Sequence, residues 1–400
     1  MPEGAPPAGR DLRLVVLLGA LSAFAPLSID MYLPALPSLS RALGGPAWAL
    51  QLTLTACLVG LAAGQLISGP LSDRAGRRLP LLAGVAVYAA ASVACAAAPS
   101  VPLLILLRLV QGGSGAAGIV ISRAVVRDLY EGPQLARFLA LTMVVNGVAP
   151  IAAPLLGGQI LRFGSWRIVF LVLAAIGVAL LAATALWLPE THPTARRAGG
   201  GVRVTLATFR RLVRERAFDG YGLTVGLAYA AMFAYISGAP FVIEDRYALA
   251  PQVFSLMFAI NAFGIMVAGQ LSARLVQRRG ATALLRVGLA SSLTGAALLL
   301  AVGLAGGGLA GILPGFFLVV SSIGWISPNA TALALGGHAA EAGSASALLG
   351  LAQFVIGGAV APLAGLAGPR AEMPMVVAIA AASAAAATSY AVLVGRRGAL

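Results

Sequence analysis

One carboxylate, Asp30, lies near the far end of an apolar run that begins at Leu12, in the stretch LSIDMYLPALP. An ionisable side chain costs about 2.5–3.5 kcal/mol at the centre of a membrane helix even on the mildest insertion scales. Of the thirteen acidic residues, Asp30 alone falls well within an apolar run, and the others lie in loops, tails or helix ends. Proton binding and release is the chemistry that a single buried carboxylate can perform.

One arginine is isolated in the same way. Arg108 lies about six residues into an apolar run, in the stretch LLRLVQGGSGAAG. With a helical rise of 1.5 Å per residue, Arg108 and Asp30 both lie about 9 Å from the same side, so they share a depth. If their helices are neighbours, each charge lowers the burial cost of the other. The pair either fixes helix packing or forms a proton site whose charge follows cavity hydration, and the second interpretation is the default for ionisable residues inside a membrane.

Small and polar residues follow Arg108 on the same helical face and form a stripe suited to lining a cavity. The stripe consists of Gln111, Gly112, Gly115 and Ser122. For the glycines alone, helix packing is the simpler interpretation. We predict that Asp30, Arg108 and Gln111 form the proton-coupling group.

Composition places these residues in a membrane protein. Hydrophobic residues make up 60% of the 400 residues and charged residues only 10%, which a soluble domain of this length does not show. The net charge of +14 comes from short clusters between apolar runs, so it indicates membrane orientation rather than nucleic-acid binding. All 27 basic residues are arginine, which excludes Schiff-base lysine chemistry.

Apolar runs of about 20 residues can each cross the bilayer as a helix, and the sequence contains twelve of them. Their approximate bounds are 12–34, 47–70, 79–98, 102–123, 138–161, 167–188, 218–241, 252–273, 281–303, 308–335, 343–368 and 372–394. Nineteen loop arginines fall on the side of the N-terminus and five on the opposite side. Because arginine concentrates in cytoplasmic loops, we predict that both termini are cytoplasmic.

An internal repeat divides the chain into two halves. The polar stretch 189–217 separates six apolar runs from six others, so we predict an N-terminal six-helix bundle at 1–188, a cytoplasmic linker and a C-terminal six-helix bundle at 218–400. GPLSDRAGRRL at 69–79 and GQLSARLVQRR at 269–279 share residues at the same offsets. Two pseudo-symmetric all-α bundles are typical of secondary transporters, with the substrate site between them.

The first copy of the repeat contains the segment 69–78, which matches the pattern G-x-L-x-D-R-x-G-R-R. This pattern resembles the loop between spans two and three of the major facilitator superfamily, and the resemblance implies a cytoplasmic gate that clasps the two bundles. The gate residues are Gly69, Asp73, Arg74, Gly76, Arg77 and Arg78. In physical terms, Gly69 allows close helix approach, Gly76 permits a tight turn and Asp73 faces the arginines. Topological anchoring is the alternative, but it explains neither Asp73 nor the glycines.

The fifth apolar run, NGVAPIAAPLLGG, combines two prolines with a pair of glycines on one long helix. It resembles the antiporter signature G-x-x-x-G-P-x-x-G-G of the drug/proton exchangers in that superfamily, although Ala149 and Ala153 replace the first two glycines. The residues concerned are Pro150, Pro154, Gly157 and Gly158. We predict a kinked, close-packed helix that acts as a hinge and seals the outer side.

Aromatic, methionine and amide side chains cluster on the seventh and eighth runs and recur elsewhere. They predict an apolar substrate cavity with scattered hydrogen-bonding groups, although helix packing is the commoner role for any single member. The predicted cavity residues are Tyr32, Asn146, Tyr229, Met232, Phe233, Tyr235, Met257, Phe258, Asn261 and Asn329.

Four long stretches are similar to the bicyclomycin/chloramphenicol-resistance (Bcr/CflA) subfamily of drug/proton antiporters. They are PLSIDMYLPALPSL, RLVQGGSGAAGIVISRAVVRDLY, AYISGAPFVIEDRYALAPQVFSLMFAINAFG and SPNATALALGGHAAEAGSASALLGLAQFVIGGAVAPL. The resemblance implies a twelve-helix major facilitator fold, a carboxylate coupled to an arginine at Asp30 and Arg108, and proton-driven export of small lipophilic antibiotics such as amphenicols. It implies a monomer in the bacterial inner membrane that uses the proton gradient and no cofactor or metal.

Two other functions remain open from the sequence. The same fold could transport a metabolite such as a sugar derivative, an amino acid or a siderophore. An intramembrane enzyme would need a catalytic group, but no H-E-x-x-H or G-x-S-x-G pattern occurs, and the only histidines, His192 and His338, lie in predicted loops. We therefore expect a transporter of small molecules rather than an enzyme.

Overall fold

The structure is a computed structural model that describes residues 8–193, 209–338 and 342–394. Every regular element in these ranges is a helix, because a helix satisfies its backbone groups internally and the bilayer offers no water to do so. The main α-helices are α1 (Ala8–Ser22), α2 (Phe24–Asp30), α3 (Leu36–Leu43), α4 (Ala47–Ala75), α5 (Arg78–Ala97), α6 (Val101–Leu129), α7 (Gly132–Phe163), α8 (Trp166–Trp187), α9 (Arg216–Phe241), α10 (Pro251–Arg279), α11 (Ala281–Leu304), α12 (Leu309–Leu335), α13 (Ala342–Val360) and α14 (Met373–Ser389).

Ten helices within the described ranges are long and apolar enough to cross a membrane. The segments Arg13–Ser22 and Phe24–Leu43 form an eleventh candidate, bent by 45°. The break occurs because Pro26 has no N–H to donate to the carbonyl of Ser22. The run predicted at 12–34 is therefore not one regular helix, and α2 ends at Asp30, before a short turn at residues 31–32.

The packing of the helices repeats along the chain. Helix α4 packs against α6 and α5 against α8, and the equivalent pairs after residue 209 are α10 with α12 and α11 with α14. We refer to α1–α8 as the first half and to α9–α14 as the second half. The predicted boundaries of the two bundles remain a prediction, because most of the linker at 189–217 lies outside the described residues.

Close packing of α4 against α6 depends on glycine. A Cβ atom added at Gly112 would overlap the carbonyl group of Cys57, and one added at Gly60 would lie 2.8 Å from the backbone nitrogen of Gly113. The two backbones can approach this closely only because neither glycine has a side chain. Gly112 therefore serves helix packing, which was the simpler of its two interpretations.

The two ends of the helix bundle differ in how the halves meet. We name them the Arg41 face, where α4 begins, and the Arg77 face, where α4 ends. On one side of the bundle, four side-chain hydrogen bonds between described residues join the two halves. They are Arg41 Nη1 to Asp245 Oδ1 (2.5 Å), Gln51 Nε2 to the Ser237 carbonyl (3.1 Å), Thr55 Oγ1 to the Gly358 carbonyl (2.7 Å) and Gln252 Nε2 to the Gly158 carbonyl (2.7 Å). All four lie on the Arg41 side of the bundle, so this side is closed.

Candidate functional site

A cavity of about 300 Å³ lies between the halves and is lined almost entirely by apolar side chains. Helices α2 and α7 line it from the first half, and α9, α10, α12 and α13 line it from the second half. Six of the predicted cavity residues line it: Tyr229, Met232, Phe233, Tyr235, Phe258 and Asn261. Their contact with a substrate remains a prediction. A concave apolar space with a few polar groups is typical of a small-molecule site.

Asp30 contributes the one carboxylate among the residues that line this cavity, and no basic residue lines it. The side chain is 7% exposed, and no hydrogen bond or ion pair joins it to the described residues. A buried charge without a partner is costly, and the neutral acid costs much less. The position therefore suits a group that gains and loses a proton.

Arg108 lies within the first half and is completely buried. Its Nη1 donates to Oε1 of Gln111 at 2.6 Å and its Nη2 donates to the carbonyl of Ser28 at 2.9 Å. The guanidinium carbon also lies 4.8 Å from the ring centroid of Tyr32 and 5.7 Å from that of Phe170. Rings and carbonyl oxygens thus stabilise the charge in place of a carboxylate.

The sequence predicts that Asp30 and Arg108 lower the burial cost of each other, but no hydrogen bond or ion pair joins their side chains in this conformation. Arg108 binds the C-terminal end of α2 through the backbone of Ser28 rather than through the Asp30 side chain. The last carbonyls of a helix lack intrahelical donors and attract a cation. Arg108 therefore leaves the Asp30 carboxyl free to face the cavity.

Gln111 connects Arg108 to a buried hydrogen-bond network. Its Nε2 donates to Oγ of Ser92 at 2.7 Å, and Ser92 Oγ donates to the carbonyl of Tyr88 at 2.7 Å. The hydroxyl groups of Tyr88 and Ser28 lie 2.7 Å apart. This network holds α2, α5 and α6 in register around Arg108, and its part in proton coupling remains a prediction.

Three predicted cavity residues do not line the cavity. Tyr32 instead places its hydroxyl 2.9 Å from Thr53 Oγ1, and Asn329 donates from Nδ2 to Ser272 Oγ at 2.7 Å. Met257 is half-buried outside the lining. The side chain of Asn146 lies outside the part of the chain that the structure describes.

Arg77 organises the loop at 69–78. The guanidinium forms an ion pair with Asp73 and donates from Nε to Asp128 Oδ2 at 2.9 Å, while the backbone N–H donates to Glu190 Oε1 at 2.8 Å. Burial alone would lower the pKa of Arg77, but its hydrogen bonds with Asp128 and Asp73 more than offset this, and the pKa lies above its usual value. These contacts join α4, α6 and the segment after α8 within the first half. The implied clasp between the bundles therefore remains a prediction.

The other residues of this loop have distinct positions. Gly76 has a φ of +91°, which favours glycine and lets the chain turn into α5. In the second half, α10 continues through Arg279 before Gly280 makes the equivalent turn. The expected close approach at Gly69 is wrong, because a Cβ there would lie 3.8 Å from Val120 Cγ1, an ordinary contact.

Two arginines of this loop allow a matched test of its structural role. Arg77 is 6% exposed, whereas Arg74 is exposed and makes no hydrogen bond or ion pair among the described residues. We expect Arg77→Met to destabilise the first half by about 3 kcal/mol, because it leaves Asp128 without its cation. Arg74→Met should have little effect. Thermal unfolding of both variants in detergent checks this, and equal melting temperatures would contradict the role given to Arg77.

Helix α7 meets both halves through consecutive glycines. A Cβ at Gly157 would overlap the carbonyl oxygen of Met31 in the first half, whereas one at Gly158 would lie 3.1 Å from the Cβ of Ser255 in the second half. Pro150 lines the cavity, and Pro154 lies between it and the glycines on the same continuous helix. Helix α7 thus connects the cavity to the closed Arg41 face, and its movement as a hinge remains a prediction.

The cavity also contains residues that were not predicted from the sequence. Gln353 and Phe354 line it from α13, and Ile323 and Val320 line it from α12. The amide of Gln353 within the apolar run ALLGLAQFVIGG is a signal that could have identified α13 as a cavity helix.

The arrangement of two helical halves around a central cavity, with ten helices able to cross a membrane, defines a multi-pass membrane transporter. The chain belongs to the Major Facilitator Superfamily, whose family model matches residues 18–362. The xylose transporter XylE from E. coli, in a partially occluded inward open conformation, has the same fold, with a TM-score of 0.72, 15% identity, and 96% of this chain and 97% of that chain covered.

Sequence relatives show which group within the superfamily the chain resembles. The chain is 41% identical to an uncharacterized MFS-type transporter, YdgK, of Bacillus subtilis, over 90% of each chain. It is 31% identical to a bicyclomycin resistance protein homolog of Haemophilus influenzae over 86% of each chain, and 34% identical to a chloramphenicol resistance protein of Pseudomonas aeruginosa over 71% of this chain and 67% of that protein. These matches confirm the predicted resemblance to the bicyclomycin/chloramphenicol-resistance group.

Proposed function

We propose that the chain exports small lipophilic antibiotics, such as amphenicols or bicyclomycin-like compounds, in exchange for protons. The observation that carries the proposal is the position of Asp30, a carboxylate without a partner on the wall of an apolar cavity. The names of the relatives from Haemophilus influenzae and Pseudomonas aeruginosa support antibiotics as the substrate class.

The proposed protein is a monomer of the bacterial inner membrane with twelve spans, two six-helix bundles and both termini in the cytoplasm. The Arg77 face then lies in the cytoplasm and the Arg41 face lies outside, in accord with the excess of arginines in the alternate loops. The closed Arg41 face makes the present conformation one that receives drug from the cytoplasmic side. The proton gradient supplies the energy, and no cofactor takes part.

The cycle follows from the energetics of Asp30. Drug in the cavity that donates a hydrogen bond to Asp30 favours the charged carboxylate, and the proton leaves toward the cytoplasm. The halves then rearrange, the Arg41 face opens, and the drug leaves while a proton from outside neutralises Asp30. Neutralisation removes the cost of about 2.5–3.5 kcal/mol for a membrane-buried charge.

Resistance profiling tests the proposed function. The wild-type chain, expressed in a host that lacks its own drug pumps, should raise the inhibitory concentrations of chloramphenicol and related compounds. Asp30→Asn, expressed to the same level, should not. Protection that survives Asp30→Asn would contradict proton-coupled export, and counterflow of labelled sugars or amino acids would instead support a metabolite transporter.

A further inference from the structure

The polar side chains of the cavity wall are few. The wall contains five that can form hydrogen bonds to a bound molecule: Asp30, Tyr229, Tyr235, Asn261 and Gln353. Asp30 comes from the first half and the other four come from the second half. Since the remaining lining residues are apolar, these five side chains decide which polar groups of a substrate the cavity accepts.

Three of the five are already engaged within the second half. Asn261 donates from Nδ2 to the hydroxyl of Tyr235 at 2.8 Å, and the hydroxyl of Tyr229 lies near enough to the side chain of Ser327 to interact with it. A substrate that broke these contacts would gain little, because it would replace one polar contact by another.

Asp30 and Gln353 are the two of these five side chains with no interaction to another described side chain. Neither side chain forms a hydrogen bond or an ion pair with the described residues, and both border the cavity. Gln353 is half-buried on α13, so its amide offers a carbonyl oxygen and an NH2 group to a molecule in the cavity.

The position of Gln353 is fixed by packing on both sides of α13. The carbonyl of Gly358 accepts a hydrogen bond from Thr55 Oγ1 of the first half at 2.7 Å. Gly357 lets α13 pack on the ring of Phe233, since a Cβ there would lie 3.0 Å from Phe233 Cε2. A rigid helix therefore presents the amide, which is the condition for a selective contact.

We propose that Gln353 is a specificity-determining residue that binds a hydroxyl or amide group of the substrate while Asp30 binds a second polar group across the cavity. This inference rests on the proposed function and specifies its substrate class. The substrate is a small amphiphile with an apolar or aromatic body and hydrogen-bonding groups at two separated positions. Such a molecule connects the two halves, because Asp30 and Gln353 belong to different halves.

Two amphenicols provide a matched pair of probes, because florfenicol differs from thiamphenicol only in having fluorine in place of one hydroxyl group. We expect the purified wild-type protein to bind thiamphenicol about 2- to 10-fold more tightly, the range of one hydrogen bond. Gln353→Leu should remove this preference and leave the affinity for florfenicol unchanged, which also shows that the variant cavity is intact. Titration calorimetry in detergent measures both affinities.

Gln65→Leu is the control, because Gln65 is half-buried on α4 and does not line the cavity. It should retain the preference for thiamphenicol.

Two results would overturn the inference and leave the proposed function in place. In the first, Gln353→Leu keeps the preference for thiamphenicol. In the second, the wild type binds both compounds without a preference. A preference lost in Asp30→Asn but kept in Gln353→Leu would assign the hydroxyl to Asp30 and would also overturn it. Wild-type protein that binds neither compound would overturn the inference together with the amphenicol part of the proposed function.

Discussion

Asp30→Asn should abolish the proton release that we propose for drug binding to the purified protein. Asparagine has nearly the same shape as aspartate but carries no proton that it can lose in the working pH range, so the expected loss is complete. The measurement is the pH change of a weakly buffered detergent solution on addition of chloramphenicol. Proton release equal to that of the wild type would remove Asp30 from the coupling step.

The control for this experiment is Asp219→Asn. Asp219 lies in the first turn of α9, outside the cavity wall, so its replacement should leave proton release unchanged. Asp30→Asn should also unfold at a temperature no lower than the wild type, because a neutral amide replaces a carboxylate that has no partner. A large drop in melting temperature would instead indicate that Asp30 serves mainly in packing.

Gly158→Val should shift the protein toward conformations in which the Arg41 face is open. The added side chain overlaps Ser255 on α10, and the overlap exists only while α7 and α10 are in contact. Overpacking costs about 1–3 kcal/mol, which changes the ratio of closed to open conformations at least about fivefold. The matched control is Gly147→Val on the same helix, because a Cβ at Gly147 would lie 4.0 Å from Met266 Sδ.

Spin labels at Phe163→Cys and Leu304→Cys can measure this shift. Phe163 is 85% exposed at the end of α7, and Leu304 is 76% exposed at the end of α11 in the other half. The native Cys57 and Cys95 are buried and do not compete for the label. The distribution of distances between the two spin labels should gain a longer component in Gly158→Val and not in Gly147→Val. Identical distributions in both variants would contradict the role of Gly158 in closure.

The helical architecture could be predicted because it depends on local properties of the chain. An apolar run long enough to cross a bilayer must be helical, and the repeat at 69–79 and 269–279 indicates two halves. The break between α1 and α2 was missed, although Pro26 lies three residues after it. A proline in a membrane helix can be accommodated by a kink or can end the helix, and the sequence does not distinguish these outcomes.

The cavity could be predicted only in part, because the depth of a residue along its helix and the direction of its side chain depend on different information. Residue spacing gives depth, which placed Asp30 and Arg108 at one level. The direction of a side chain depends on the path of the backbone, and the irregular end of α2 turns Tyr32 toward Thr53 and Arg108. On the regular helices α9 and α10 residue type was sufficient for Tyr235 and Asn261, which line the cavity as predicted, but not for Met257.

The four hydrogen bonds that close the Arg41 face determine how this barrier between the two halves responds to ionic strength. Only one is an ion pair, and its Arg41 side chain is 63% exposed, so salt screens it and it contributes little. The other three join a neutral amide or hydroxyl to a backbone carbonyl. A barrier held by such neutral contacts keeps its strength in dilute and in saline media, so closure of the Arg41 face does not depend on ionic strength.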